Sequence, residues 1–458
     1  MSPVVVVLGQ GGLVLGQRLC AVLPGARLHA LKSRLAAGAV VDDTFADTAA
    51  HLHRLFADKI PIIGVCAAGI LIRALAPMLA DKQQEPPVLA VAHDGSSVVP
   101  LLGGHHGANE LARTLAGALG VTAAITTAGD LRFGLALDEP PPHWRAGHPL
   151  AAKNIMAALV DGRPVTLKVE AGDAGWIETA HVPFADDAAL TIRVTDKAAP
   201  VDPHTLVLHP PVLALGVGCA RAASAKELEA LAFSTLSEAG LSPQAVACVV
   251  SVDVKADEPA VHALAARLGV PARFLPAVTL EALTPRLKNP SETVFREVGC
   301  HGVAEASALA AAGSDGELIV AKIKSGQATC AVARATGTID PARVGCARGH
   351  LHVVGIGPGA PGWRTPEATA AVTGARHLVG YDLYLDLLGE AAAGKIRHDS
   401  PLGEETERVR TALDLAASGE SVALICSGDP GIYALASLVF ETVERHSRPD
   451  WGRIEITV

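Results

Sequence analysis

Short apolar runs alternate with amphipathic helical stretches along almost the whole chain, and this alternation restricts its fold more than any other feature. Val4–Leu8, Ile60–Cys66, Val88–Ala92, Val246–Val252 and Val422–Cys426 are too short for buried helices and too uniformly apolar for strands wetted on one face. Such strands belong in parallel sheets covered by helices on both sides. The predicted class is therefore α/β, as several separate three-layer parallel-sheet domains. With 458 residues the chain exceeds one core, since a domain usually takes roughly 100–200 residues.

Proline marks where one domain gives way to the next. Pro140-Pro141-Pro142 can neither donate to a sheet ladder nor continue a helix, and His209-Pro210-Pro211 repeats the signal. Pro341 to Gly349 reads as a further linker. The predicted division is an N-terminal α/β domain over 1–132, a strand-rich middle segment over 133–211, a further α/β domain over 212–336, a linker over 337–349 and a last domain over 350–458. In the first domain Asn109–Leu119 reads as a helix and Ala123–Thr127 as a closing strand. In the third, Ser224 and Glu227 predict a capping box opening a helix with Leu228, Leu231, Ala232 and Leu236 on one face. Leu318–Lys324 is expected to pair with Ala328–Arg334 across Ser325-Gly326. The strand predicted over Arg453–Val458 has no covering helix after it, so the last domain reads as cut short.

Hydrophobic residues at 50% and charged residues at 19% describe a globular chain. A net charge of −9 and only 3% aromatic residues exclude the basic stripe and the stacking platform of a nucleic-acid binder. The apolar N-terminus lacks a basic flank and is broken by Gly9-Gln10-Gly11-Gly12, unlike an export signal. No run approaches the roughly 18 apolar residues of a membrane span. A soluble, cytoplasmic protein without membrane or nucleic-acid partners is expected. The 8 cysteines are scattered without a C-x-x-C pair, which predicts reduced thiols and no metal site.

Two glycine-rich turns carry chemistry. Gly355-Ile356-Gly357-Pro358-Gly359 follows a strand directly, and glycine lets a ligand approach the backbone. Ser427-Gly428-Asp429-Pro430-Gly431 follows another, with Asp429 expected at an N-cap and Pro430 at the first helical position. The dinucleotide fingerprint is not met, because Ala360 and Pro361 interrupt it, and the Walker A pattern is absent. Both turns, with Val379-Gly380-Tyr381-Asp382-Leu383-Tyr384 between them, stand at strand ends, where open α/β sheets bind ligands. On these residues His350–Val458 resembles the tetrapyrrole methylases, and the run Val379 to Leu388 is most similar to the precorrin-3B C17-methyltransferases of cobalamin synthesis. The resemblance implies S-adenosyl-L-methionine as cofactor, lined by Gly357, Pro358, Gly359, Ser427, Gly428, Asp429, Pro430, Gly431, Ile432, Tyr433 and Ala434. It also implies Tyr381 near a tetrapyrrole, and a homodimer through this domain.

The first 336 residues resemble the cobalt-precorrin-5A hydrolase family. The likeness rests on Ala67-Ala68-Gly69-Ile70, the run Leu101 to Asn109, Gly216-Val217-Gly218-Cys219, the run Ser251 to Glu258, and Val303-Ala304-Glu305-Ala306. It implies a corrinoid substrate whose δ-lactone is opened with release of acetaldehyde. Water attack on a lactone needs a base titrating near neutrality and donors for the oxyanion. His105, His106 and Glu110 are the candidate bases, with N–H groups of Gly103 to Gly107 as donors. The acetate and propionate arms of the ring call for cations, for which Arg73, Lys82, Arg132, Arg221 and Lys255 are the candidates. The expected function is a bifunctional fusion in corrin synthesis, joining lactone hydrolase to methyltransferase. The alternative is a hydrolase-like region that carries corrinoid without acting on it. The residues leave open which route, oxygen-dependent or oxygen-independent, the chain serves, and whether its substrate holds cobalt.

Overall fold

The computed structural model describes every residue except 1, 24, 37, 81–84, 105–106, 128–131, 134, 136, 138–139, 148, 433–434 and 447, and gives no side chain at 149 or 390. Two compact units divide it. One comprises Met1–Pro141, Ala152–Pro164 and Trp176–Pro183, the other Pro142–Ala151, Val165–Gly175 and Phe184–Val458.

The first unit is built on a six-stranded sheet of β1 (Val4–Val7), β2 (Arg27–Leu31), β3 (Asp43–Phe45), β4 (Ile62–Val65), β5 (Val88–Val91) and β6 (Val98–Leu102), ordered β3-β2-β1-β4-β5-β6. The four valines of β1 are all buried, because helices cover both faces of a doubly wound sheet. Val5 and Val7 pack with Leu19 and Leu115 on one side, Val4 and Val6 with Leu52 and Leu71 on the other. All pairings are parallel except β5 with β6, where Val88 faces Leu102 and Val91 faces Val98. The strand expected over Ala123–Thr127 does not form. Ala124 N–H donates to Val98 O at 2.8 Å, but Ile125 N–H then turns back to Ala123 O at 2.9 Å, lifting the backbone off the sheet after one bridge.

The second unit holds three sheets. The first contains β7 (Arg145–Ala146), β8 (Thr166–Val169), β9 (Thr191–Val194) and β10 (Thr205–His209), ordered β7-β10-β9-β8. The next contains β11 (Leu213–Cys219), β12 (Val246–Val252), β13 (Ala272–Leu275), β14 (Glu317–Lys324) and β15 (Ala328–Arg334), ordered β13-β12-β11-β15-β14. Here β14 and β15 form the expected antiparallel pair. Gly216 on β11 has no room for a side chain: a Cβ there would lie 1.9 Å from Ala304 O of the helix Val303–Ala312. The last sheet is parallel throughout, with β16 (His350–Gly355), β17 (His377–Tyr381), β18 (Ile396–Ser400), β19 (Ser421–Cys426) and β20 (Glu455–Thr457) ordered β18-β17-β19-β16-β20.

The capping box at Ser224 is not made. Ser224 precedes the helix Ala225–Glu238 but its side chain caps nothing, because Glu227 is drawn across to the β14–β15 turn. There its carboxylate accepts from Ser325 Oγ at 2.5 Å and Gln327 N–H at 2.7 Å, holding the turn to the helix.

Candidate functional site

Of the first unit's candidate side chains, Glu110, Arg73 and Arg132 lie among the described residues. Gly103 has φ +70°, and a Cβ there would lie 2.4 Å from Pro86 O, so only glycine fits. Glu110 is exposed in the first turn of the helix Ala108–Leu119, and neighbouring Asn109 is buried with its Nδ2 donating to Thr127 Oγ1 at 3.0 Å. Because β6 runs against β5, the chain leaves Leu102 at the amino edge of β1, β4 and β5. His105, His106 and Lys82 lie outside the described residues. Arg73 is exposed on the helix Ala68–Leu75. Arg132 donates to Val160 O and lies 5.4 Å from the Phe133 ring centre. The carboxyl edge of this sheet carries a histidine that motif reading passed over: exposed His93 sits against Gly11, where a Cβ would be 2.7 Å from its Cε1.

At the carboxyl edge of the β11–β15 sheet the candidates do meet. Arg221 follows β11 and Lys255 follows β12, and both approach the buried carboxylate of Glu258, at 3.7 Å and 3.4 Å. Arg221 is further occupied by Asp257 at 2.6 Å and by Val254 O at 2.7 Å. Beside them opens a cavity of about 380 Å³, lined by Gly218, Cys219, Lys255, Val303, Lys322 and Lys324 among others. Burial pushes the Cys219 thiol up, so it stays protonated and is no thiolate nucleophile at neutral pH.

Spaced at 297, 301 and 305, Glu297, His301 and Glu305 would line one face of a single helix, and the last of them locks the wall of this cavity. Gly299, with φ +78°, ends the helix Glu292–Val298, so these three residues share no helix. Glu305 is buried instead, with Oε2 accepting from Lys288 N–H (2.7 Å) and Asn289 N–H (3.0 Å), and Oε1 from Asn289 Nδ2 (2.8 Å) and Lys322 N–H (2.8 Å). Burial alone raises a carboxyl pKa, but these donors outweigh it and hold Glu305 below the usual range.

In the last sheet the two glycine turns are brought together. β16 and β19 are neighbours, and their loops join by reciprocal bonds, Gly357 N–H to Gly428 O at 3.3 Å and Gly428 N–H to Gly357 O at 2.9 Å. Gly357, Gly359 and Gly428 all have positive φ, and a Cβ on Gly355 would lie 2.3 Å from Gly428 O. Asp429 is not a helix cap. Its Oδ1 accepts from Gly431 N–H at 2.7 Å in a local turn, and residues 430–432 are turn and bend, not helix. Ile432 is exposed, Tyr381 ends β17 beside β19 with its ring 5.2 Å from Tyr384, and Tyr433 and Ala434 lie outside the described residues. The described residues among them form a cradle of glycine backbone that a ligand can approach closely. Among the described residues no cluster of His, Cys, Asp and Glu could hold a metal ion, and no helix is long and apolar enough to cross a membrane.

An α/β chain with ligand-binding edges of this kind is a common enzyme framework, and comparison with known proteins narrows it. Residues 50–130 match the family Cobalamin synthesis G N-terminal, 213–333 match Cobalamin synthesis G C-terminus, and 350–449 match Tetrapyrrole (Corrin/Porphyrin) Methylases. A cobalt-precorrin-5A hydrolase of Salmonella typhimurium is 31% identical over 59% of this chain and 80% of its own length. Protein CobE of Sinorhizobium sp is 51% identical over 26% of this chain and 79% of its own. A precorrin-3B C(17)-methyltransferase of Sinorhizobium sp is 38% identical over 24% of this chain, which spans 42% of that relative. The chain belongs to the cobalt-precorrin-5A hydrolase family of cobalamin synthesis, and joins to it a tetrapyrrole methylase segment.

Proposed function

We propose that the chain acts twice in corrin synthesis: residues 1–336 open the lactone of cobalt-precorrin-5A with release of acetaldehyde, and the segment from 350 takes part in C17 methylation of precorrin-3B. The observation that carries the first reading is the 31% identity extending over 80% of a cobalt-precorrin-5A hydrolase. The proposed functional division is 1–132, 133–211 and 212–336 for the hydrolase, 337–349 as linker and 350–458 for the methylase segment. In the hydrolase, His105, His106 or Glu110 is the proposed base.

In the methylase segment, Gly357, Pro358, Gly359, Ser427, Gly428, Asp429, Pro430, Gly431 and Ile432, continuing into Tyr433 and Ala434, are proposed to hold S-adenosyl-L-methionine. That molecule would supply an electrophilic methyl on a sulfonium. The glycines keep the cradle open, backbone N–H groups fix the ligand's orientation, and Tyr381 packs beside the tetrapyrrole. Alignment of the ring carbon with the methyl supplies the rate, as orientation alone can contribute roughly 7–11 kcal/mol. A homodimer through the last domain and a cytoplasmic location complete the proposal.

The test is anaerobic incubation of the full chain with cobalt-precorrin-5A, following acetaldehyde and the change in substrate mass, alongside Glu110→Gln and the double variant His105→Ala/His106→Ala. Release by the wild type and its loss in a variant supports the hydrolase and its loop. Bound corrinoid without release by the wild type supports a carrier instead.

A further inference from the structure

The cavity at the carboxyl edge of the β11–β15 sheet collects segments distant in sequence. Gly218 and Cys219 come from the end of β11, Lys255 from just beyond β12, Val303 and Ala304 from the first turn of a helix, and Lys322 and Lys324 from β14. Its lysines differ in how their charge is met. Lys255 is matched by Glu258 at 3.4 Å. Lys322 gives its ammonium only to a neutral oxygen, Asn289 O at 2.6 Å, and Lys324 is exposed at the mouth. Among the described residues no carboxylate lies within ion-pair distance of either ammonium. The facing carboxylates are Glu297, exposed on the rim, and Glu305, whose oxygens are already filled by four donors. Val252, Val294 and Val298 supply apolar lining.

We propose that this cavity is a carboxylate-arm site: it seats one edge of a polycarboxylate macrocycle, with Lys322 and Lys324 binding the acid groups and the valine floor packing the methylene stems. The proposal rests on the corrinoid reading above and names the part of the ligand recognised. Size agrees, since about 380 Å³ sits near the lower end of the roughly 300–1,000 Å³ that small-molecule pockets span, room for side arms and one ring edge but not the whole ring. Burial and neighbouring Lys324 hold the Lys322 pKa down, the condition under which an ammonium gains most from an incoming carboxylate.

Equilibrium dialysis of the full chain against two stable probes tests this: dicyanocobyrinic acid, whose arms are free carboxylates, and dicyanocobinamide, whose arms are amides. The wild type should bind the acid at least about tenfold tighter than the amide, with affinity falling as salt rises. Lys324→Gln, at an exposed position that leaves the fold intact, should weaken the acid severalfold. The pair Lys322→Gln/Lys324→Gln should weaken it about tenfold or more and leave the amide unchanged, while Lys226→Gln, outside the cavity, changes neither. Equal binding of acid and amide, no binding of the acid, or a double variant that matches the wild type overturns the site. Acetaldehyde release separates this from the reading beneath it. Lysine-dependent binding without release leaves the arm site standing and removes the hydrolase, whereas release with the same KM in wild type and double variant does the reverse.

Discussion

Glu305→Gln should loosen one wall of the cavity without changing its shape. Each carboxylate oxygen accepts two donors, three of the four being backbone N–H groups, at 2.7–3.0 Å. Whichever way the glutamine amide turns, its NH2 replaces one acceptor and faces two donors, so two bonds are lost and no new ones form. A hydrogen bond to a charged group contributes about 1.5–3 kcal/mol. Two at the low end give about 3 kcal/mol, a magnitude expected when a buried carboxylate is stripped of its partners. The loss falls on the loop containing Lys288 and Asn289 and on β14. Amide exchange read by mass spectrometry resolves it locally, which matters in a chain of several sheets where one melting temperature is ill defined. Peptides covering 287–291 and 317–324 should exchange roughly 100-fold faster, since each 1.4 kcal/mol is tenfold. Glu297→Gln, on the exposed rim, should leave both peptides unchanged. Protection in Glu305→Gln equal to the wild type would falsify the idea that this carboxylate locks the wall.

Three further outcomes follow from close packing and burial. Gly355→Ala drives a Cβ to within 2.3 Å of Gly428 O, so it should part the two loops of the last sheet at a cost of about 1–3 kcal/mol and weaken binding of S-adenosylhomocysteine by tenfold or more; unchanged titration heats in calorimetry would remove these loops from the cofactor site. Gly216→Ala meets backbone at 1.9 Å, with no flexible side chain to yield, and should leave little folded protein; a well-expressed variant with wild-type exchange in β11 would refute the packing. The first unit should weaken in mild acid. Arg54 can only donate to His51 Nδ1 (3.1 Å), so His51 Nε2 carries the proton and donates to His29 Nδ1 (3.0 Å), and burial pushes the His29 pKa from 6.5 down to about 4. Between those values the unfolded chain takes up a proton that the folded one refuses. Stability is therefore whole above pH 6.5 and falls by up to about 3 kcal/mol as pH drops toward 4, a slope that His29→Gln should flatten in urea titrations.

What sequence revealed and what it hid divide along physical lines. Buried parallel strands such as Val4–Val7 and Val246–Val252 announce themselves because both faces must be apolar. The two turns of the last sheet were legible as a pair, since each follows a strand directly and glycine has few other reasons to recur there. The direction of β6 was not legible. Periodicity is the same in either sense, so nothing in the residues told that β6 runs against β5 and carries Gly103 to the amino edge. Local rules also lost to distant partners: Glu227 fits a capping box, yet the donors of the β14–β15 turn claim it. Asp429 likewise fits a cap, but its carboxylate closes a local turn on Gly431 N–H instead.

The segments around the β11–β15 sheet that carry the hydrolase likeness converge on one place, and most of them build it rather than serve it. Gly216 lets the helix beginning at Val303 press onto β11. Glu258 gathers Arg221 and Lys255, and Glu305 ties that helix to β14 and to the loop before residue 291. The ammonium groups left for a ligand are Lys322 and Lys324, which no motif singled out because lysines alternating on an outer strand read as ordinary solvated charge. Motif residues around this sheet thus report architecture, and the contacts that choose the ligand lie on the strand facing them. Substitutions at Gly216, Glu258 or Glu305 should accordingly act through stability and exchange, whereas Lys324→Gln, at an exposed ammonium, should act on affinity alone.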